Sequence, residues 1–589
     1  MIKIRPTRKL LLGILPLLIA ITPFFFAFAQ AQEPPAEEAV PVSEANQTCL
    51  GCHDPANEGA PGVHMAALQG SPHASNDCTD CHAEFTADAP HTTEMKKSKV
   101  ACENCHPDVV EAFNSSAHGQ KAATDTEVPT CISCHTAGTD PHAIQPSNTL
   151  TKKARVEKCS LCHNDKAIMT RHGVDPEAVS SYEASFHGKA FLKFENSKTA
   201  ICTDCHTNHS VMAATNPKSS TNDANVAKTC GQAGCHPGAT ASFAQSGFSH
   251  LHITIKDNPL LSAIEWFFKI LTFGVIGFLL MGVAFDMKAA LFSKKPIAVT
   301  RPVAFTVAAA FFFLVLSIIL AVLKQPYGLY TTAAAVIMGA ASGAFHVASK
   351  PKRDIDLPVE RRFQRFTVSQ RLQHLTLMIT FILLVLTGMP IRYPNNDVMR
   401  GAYLALGGMD VMRLVHRVSA VILIIAWIYH TIELLVRWKK AGFSMDSWTM
   451  WPRKKDFSDV VGTVKYHLGM APEEPEFDRF QFREKFDYFA VYWGMPIMVF
   501  SGLILWYPVF YSQFLPSIGL PIAFIAHSDE AVLAFLTIAT WHFYNTHFNP
   551  HHFPMNPVFI TGEVGEKDMQ REHPLEYKRI VESGELPEE

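Results

Sequence analysis

The chain has 589 residues, and its 51 Lys and Arg against 54 Asp and Glu leave a net charge of −3, a balance that excludes nucleic acid as a partner. Its length allows several domains. Hydrophobic residues make up 48% of it, unevenly spread: the part up to about residue 250 is polar and rich in Cys and His, and long apolar runs dominate the rest, so the main domain boundary falls between them.

Residues 1–31 read as a secretory signal peptide. Lys3, Arg5, Arg8 and Lys9 give the positive start, Leu10 to Phe28 the apolar core, and Ala29-Gln30-Ala31 a cleavage site. An uncleaved anchor helix would have the same apolar run; either way the Cys-rich part is exported. Gln32 to Gln47, with its Pro, Ala and Glu, reads as a flexible lead-in.

All 14 cysteines lie between Cys49 and His236, in seven pairs each followed by His. Six read C-x-x-C-H: Cys49/Cys52/His53, Cys78/Cys81/His82, Cys102/Cys105/His106, Cys131/Cys134/His135, Cys159/Cys162/His163 and Cys202/Cys205/His206. The seventh, Cys230/Cys235/His236, has four residues between its cysteines. C-x-x-C-H is the attachment signature of c-type haem: two thiols bond the porphyrin vinyl groups and the next His reaches the iron. Zinc knuckles or redox disulfides also use paired cysteines, but neither needs a His after every second Cys. The expectation is seven covalent haem c groups.

Residues 32–254 are therefore expected to form a periplasmic heptahaem cytochrome c domain of few, short helices and mostly loops, packed on haem. Ser-x-His elements recur at His73, His118 and His187, and Ser249-His250 closes the domain. Further histidines, His91, His142 and His209, trail the motifs. These seven match the haem count and are the expected distal ligands, making every iron bis-His; His64, His172 and His252 are spares.

Seven stretches are long and apolar enough to span a bilayer: Trp266–Phe285, Val303–Leu323, Leu329–Ala348, Leu372–Ile391, Leu414–Val436, Tyr488–Tyr507 and Ile522–Phe543. With the haem domain outside, the inner loops hold 21 Lys and Arg and the outer loops 4, as the positive-inside rule requires. The expected organisation is three membrane helices over 255–350, a cytoplasmic linker over 351–371, a four-helix diheme cytochrome b domain over 372–565, and a cytoplasmic tail over 566–589. The first three spans carry no ligand set, and His346 reads as interfacial. The tail region, with His551, His552 and His573, reads as solvated.

Intramembrane histidines are costly and mark function. His416 and His430 are 14 residues apart and His527 and His542 are 15 apart, each pair about 21–22 Å along a helix and on one face. That suits two haem b groups stacked across the bilayer in a four-helix bundle. Gly388 and Gly502 would let a flat macrocycle approach. Leu386-Thr387-Gly388-Met389 and Phe500-Ser501-Gly502-Leu503, each followed by Tyr-Pro, suggest two related hairpins.

Over about residues 360–580 the chain resembles the cytochrome b subunits of respiratory formate dehydrogenase and nickel-iron hydrogenase. The likeness lies in Arg371-Leu372-Gln373-His374 with Leu386-Thr387-Gly388, in Arg413-x-x-His416, and in Ala526-His527 through His542-x-Tyr544. The resemblance implies that His416 and His527 hold an outer haem b and that His374 and His542 hold an inner one. His430 departs from the pattern: it either replaces His374 or sits by a quinone as proton acceptor. Fused to an exported multihaem domain, this resembles the inner-membrane menaquinol oxidoreductases of metal-reducing bacteria, used in anaerobic respiration and extracellular electron transfer. The implied enzyme is a quinol:cytochrome c oxidoreductase, with menaquinol meeting the inner haem b between the first and fourth spans of the b bundle. Its partners would be the bilayer, the membrane quinone pool and periplasmic multihaem cytochromes. Reversed flow from a periplasmic donor to quinone, or an anchor subunit of a larger respiratory complex, are the alternatives. A haem-based sensor would need an output domain.

Overall fold

The computed structural model describes residues 41–587 except 59, 87–90, 94, 96–99, 137–139, 146–148, 293–299, 323–327, 350–359, 550 and 551. The expected signal peptide, most of the lead-in, the first part of the linker and His551 lie outside the described residues. The chain divides into two compact units, Met1–Pro107 with Cys131–Thr149, and Asp108–Thr130 with Leu150–Glu589.

The first unit is loop-rich. Helix α1 (Glu44–His53) starts at Ser43, whose side chain accepts from Asn46 N, and ends on its C-x-x-C-H. Cys78–Cys81 forms a single turn capped by Asp77, while Asp80 accepts from the Asp77 amide at 2.9 Å. The acidic residue inside the motif thus closes the turn that carries it, satisfying an amide that a helix start leaves open.

In the second unit α2 (Lys152–His163) ends on the fifth motif and α3 (Ala178–Ala184) leads into His187. Then the apolar helices begin: α4 (Pro259–Phe292), α5 (Arg301–Val322) and α6 (Gly328–Ser349). A short strand β1 (Arg362–Gln364) precedes α7 (Val368–Arg392) and α8 (Gly408–Lys440). After α9 (Lys454–His467) come α10 (Phe482–Trp506) and α11 (Gly519–Thr537), the latter continued by two π-helical turns, Ile538–His542 and Tyr544–Phe548.

Among the described residues five helices are long and apolar enough to cross a membrane: Pro259–Lys288, Val368–Arg392, Gly408–Lys440, Phe482–Trp506 and Gly519–Phe548. The sequence predicts seven. The other two stretches are helical, as α5 and α6, and pack on each other. Helix α4 is part of the bundle's packing rather than a separate block. It lies along α11, and its Leu279 and Val283 join Phe311, Trp541 and Tyr544 in one buried cluster.

The tail region is not a solvated end. Strand β2 (Glu563–Gly565) pairs antiparallel with β1, Phe363 opposite Val564. Helix α12 (Pro574–Ser583) then carries the buried Glu576 to Arg365, whose Nη1 donates to its Oε2 at 2.8 Å. Arg479 pairs with the other oxygen, and Arg365 sits 5.1 Å over the Phe480 ring. His573 is buried, its Nδ1 at 3.0 Å from Asp478 O. An amphipathic segment with a folding partner was read as loop because its partner is about 200 residues upstream.

Candidate functional site

Two imidazoles bound across one iron, each at about 2.0 Å, have ring centres roughly 6 Å apart. Eight histidine pairs show this spacing. In the first unit they are His53–His91 at 6.0 Å, His73–His106 at 6.2 Å and His82–His142 at 6.4 Å. In the second they are His118–His163 at 6.2 Å, His187–His236 at 6.0 Å and His206–His250 at 6.3 Å. Each joins one motif histidine to one expected distal histidine. The remaining members, His135 and His209, fall in the first and second unit respectively. Among the spares, His64 and His252 are exposed, and His172 Nε2 lies 3.3 Å from Glu127.

In four of the seven motifs the two cysteines are not placed alike. First cysteines are neighbours across motifs, in the pairs Cys49 with Cys78, Cys102 with Cys131, and Cys159 with Cys202. Four of the seven second cysteines face outward, and Cys81 and Cys205 are half-buried like the first ones. Cys52, Cys105, Cys134 and Cys235 are exposed, and Cys162 is half-buried. The reason is the length of the elements. Cys52 and Cys162 lie in the last turns of α1 and α2, Cys134 in the single turn Cys131–His135, and Cys105 just past the turn Cys102–Asn104. Cys235 departs furthest: it lies beyond the helical turn Val226–Cys230, after Gly234 at φ 85°. Its longer spacing still returns the histidine to the same place. His236 N donates to Cys230 O at 3.0 Å, as His82 N does to Cys78 O and His106 N to Cys102 O, both at 2.9 Å. No cysteine is fully buried, which leaves all the thiols reachable for attachment.

The Ser-x-His element has a local reason. Ser71, Ser116 and Ser185 are all buried. The Ser185 hydroxyl accepts from Gly188 N at 3.1 Å and that of Ser116 from Gly119 N at 3.0 Å, so the serine caps the turn that aims the histidine. The glycine after the histidine is required too: a Cβ on Gly188 would stand 2.1 Å from Tyr182 O, and one on Gly119 1.9 Å from Phe113 O. His250 is aimed by Ser181 Oγ at 2.8 Å from its Nδ1. Burial lowers the pKa of His187 and His206 to about 4, with His236 and His250 adding to the effect, so these rings are neutral at neutral pH.

The last two pairs lie among the apolar helices: His416–His527 at 6.4 Å and His374–His542 at 6.3 Å. We call the end of the bundle that carries the Cys-rich segment the outer end, which makes His416–His527 the outer pair. His416 Nδ1 is 2.8 Å from Thr387 Oγ1 and His527 Nδ1 is 3.1 Å from Ser501 Oγ. Both hydroxyls donate to their own helix, Thr387 to Leu383 O and Ser501 to Ile497 O, so each accepts from the imidazole and leaves Nε2 for a metal. Gly388 and Gly502 follow, and a Cβ there would meet His416 Cε1 at 3.4 Å and His527 Cε1 at 3.2 Å. The sequence reading gave these glycines to the macrocycle. They make room for the ligand rings, and the Thr-Gly and Ser-Gly echo is one device used twice on one outer site.

The inner pair is supported differently. His542 Nδ1 lies 3.0 Å from Asp487 Oδ2. The π-helical turn ending at His542 is the kind of bulge often found at functional sites. His430 faces neither pair. Its Nδ1 is 2.6 Å from Gln373 Oε1 and its Nε2 3.0 Å from Tyr488 OH, so of the two alternatives His374 is the one across from His542.

One cavity of about 1900 Å³ runs past the inner pair and the outer pair to His187, Cys230 and His236 of the seventh motif; Cys235 is not part of its wall. The seam around its outer mouth is bonded. Thr240 Oγ1 donates to Ser512 Oγ at 2.8 Å and Ser242 Oγ to Leu515 O at 2.7 Å. Phe248 packs on Phe524 at 5.4 Å, and Lys189 lies 5.5 Å over the same ring, its pKa lowered to about 8 by burial and by Arg392. Sequence reasoning missed this seam because its two sides are more than 250 residues apart.

Residues 365–548 match the family model described as prokaryotic cytochrome b561. The chain is also similar to the cytochrome c-type protein NrfB of Escherichia coli O6:H1, 27% identical over 145 residues, which are 22% of this chain and 71% of that protein. With the histidine pairs, these likenesses define a class: a membrane cytochrome that transfers electrons through b- and c-type haem.

Proposed function

We propose that the chain is a menaquinol:cytochrome c oxidoreductase of the bacterial inner membrane. Quinol is oxidised at the inner end, and electrons pass through two haem b sites into seven haem c sites and on to periplasmic multihaem cytochromes. In this reading seven helices span the bilayer, residues 32–254 lie in the periplasm and the tail is cytoplasmic. The observation that carries it is the single cavity that reaches from His374 and His542 past His416 and His527 to His187 and His236.

Haem, when bound, supplies one-electron redox chemistry at each site. The chain's residues do the rest. Two imidazoles per site leave no coordination position for a substrate, which suits electron transfer. Thr387, Ser501 and Asp487 fix the ring orientations. The apolar spans keep water from the b sites. The bonded seam of Thr240, Ser242 and Phe248 holds the seventh motif against the outer pair.

Purified protein in liposomes is mixed with menadiol and the haem bands are followed by stopped flow, after a pyridine haemochrome assay. The expected result is seven c and two b per chain, with b bands reduced before c bands. Haem c alone, or no reduction by menadiol in protein that dithionite reduces fully, overturns the proposal.

A further inference from the structure

His430, Gln373 and Glu433 are polar groups inside membrane-spanning helices, and none faces a histidine pair. Such groups are expensive there and are retained for function. Their hydrogen bonds fix a direction. The Gln373 amide nitrogen donates to Ser369 Oγ at 3.0 Å and to Glu433 Oε2 at 2.8 Å, which uses both its hydrogens. Gln373 Oε1, at 2.6 Å from His430 Nδ1, is therefore an acceptor, so Nδ1 carries the ring proton. His430 Nε2 is the bare nitrogen and accepts from the Tyr488 hydroxyl at 3.0 Å, which a quinol hydroxyl would displace to reach the base.

Beside this base lies an aromatic lobe of the same cavity, between α8, α10 and the chain around residue 450. Trp451 packs on Phe489 at 6.0 Å and on Trp448 at 5.8 Å, and Tyr492 lies between Tyr488 at 5.0 Å and Trp427 at 6.5 Å. The Nε1 atoms of Trp427 and Trp448 are buried and bond to no acceptor among the described residues. The flat walls suit an aromatic ring. Gln373 is the residue before His374, which ties the lobe to the inner pair.

We propose that this lobe is the quinol site and that His430 Nε2 is the proton acceptor; this rests on the quinol reading above. A para-quinol fits with its ring between the tryptophan and tyrosine faces and one hydroxyl on Nε2. The acceptor is ferric haem b at the inner pair. One quinol O–H bond breaks, its proton goes to His430 Nε2 and one electron goes to the inner iron. Glu433, reached through Gln373, is already paired with Arg437 and offsets the imidazolium charge only in part. After that electron has moved to the outer pair and the proton to the aqueous side, the second O–H bond breaks in the same way. The sum is quinol to quinone with two electrons and two protons released. The sequence reading located quinol between the first and fourth spans of the b bundle; the lobe lies between the second and third.

The test uses the full-length haem-loaded protein in nanodiscs. Binding of 2-heptyl-4-hydroxyquinoline N-oxide is read by quenching of its fluorescence, and haem b reduction by menadiol by stopped flow. Wild type is expected to bind one probe per chain. Trp448→Leu is expected to weaken binding at least tenfold, and Trp448→Phe, which keeps an aromatic face but a smaller one, at least threefold. His430→Gln, which removes the base that the quinol hydroxyl meets, is expected to slow reduction by menadiol at least tenfold. Each variant must keep the wild-type dithionite-reduced b spectrum; if Trp448→Leu loses it, Trp448→Phe and His430→Gln decide. Variants that bind and react like wild type overturn the site while leaving quinol oxidation standing. A wild type that menadiol cannot reduce overturns the quinol reading and the site with it.

Discussion

Asp487 is expected to hold the inner haem b at a lower potential than the outer one. Its carboxylate accepts from His542 Nδ1 at 3.0 Å, whereas the outer ligands donate to the hydroxyls of Thr387 and Ser501. A charged acceptor makes the imidazole a stronger donor to iron and favours the ferric state. Hydrogen bonds to charged groups are worth about 1.5–3 kcal/mol and neutral ones about 0.5–1.5, so Asp487→Asn removes about 1–1.5 kcal/mol of ferric preference. A tenfold change is 1.36 kcal/mol and about 59 mV for one electron, which gives a rise of about 40–65 mV at the inner haem. The assay is an optical redox titration of the b bands, with the low-spin EPR signals used to separate the two haems. The outer potential should stay where it is. If the outer haem moves instead, or neither does, the charge on Asp487 is not what separates them.

Three further outcomes follow from the packing. Gly188→Ala would force a Cβ to within 2.1 Å of Tyr182 O, so His187 should leave its iron and one c haem should turn high-spin by magnetic circular dichroism, with the covalent haem count unchanged. Glu576→Ala strips the carboxylate from the buried Arg365 and should cost about 3–5 kcal/mol locally, seen as faster hydrogen exchange over 563–583. His573 is held neutral, its pKa lowered to about 4 by burial first and Arg365 second. The unfolded ring takes up protons below about 6.5, so the stability this group contributes is present above that pH and is lost as pH falls toward 4. The loss amounts to about 3 kcal/mol, and His573→Gln should flatten that pH dependence of exchange in the tail.

What could be read in the sequence was what is written in short spacings. C-x-x-C-H fits in one helical turn, and a histidine in an apolar run stands out because the bilayer makes it costly, so His374, His416, His527 and His542 were legible. The resemblance paired them as the structure pairs their rings. Spacing alone could not tell Cys49, which meets Cys78, from the outward-facing Cys52, because that difference depends on which motifs become neighbours. The purpose of Thr387-Gly388 was half legible: the repeat showed, but only the packing of α7 on α8 brings that pair against His416. The tail was misread because Glu576 carries no local sign that Arg365 will bury it. Contacts between segments far apart in sequence leave no periodicity.

The bonded seam at the outer mouth makes donor and acceptor parts of one body. A soluble cytochrome must find its reductase by diffusion, and that encounter is slowed by dilution and altered by salt. Here Thr240 and Ser242 are hydrogen-bonded to the loop that precedes α11, and Phe248 to that helix's first turns by ring packing. Transfer across this joint is therefore first order. It should keep the same rate in a crowded membrane and in a dilute one, and only the last step, outward from the Cys-rich segment, remains exposed to ionic strength.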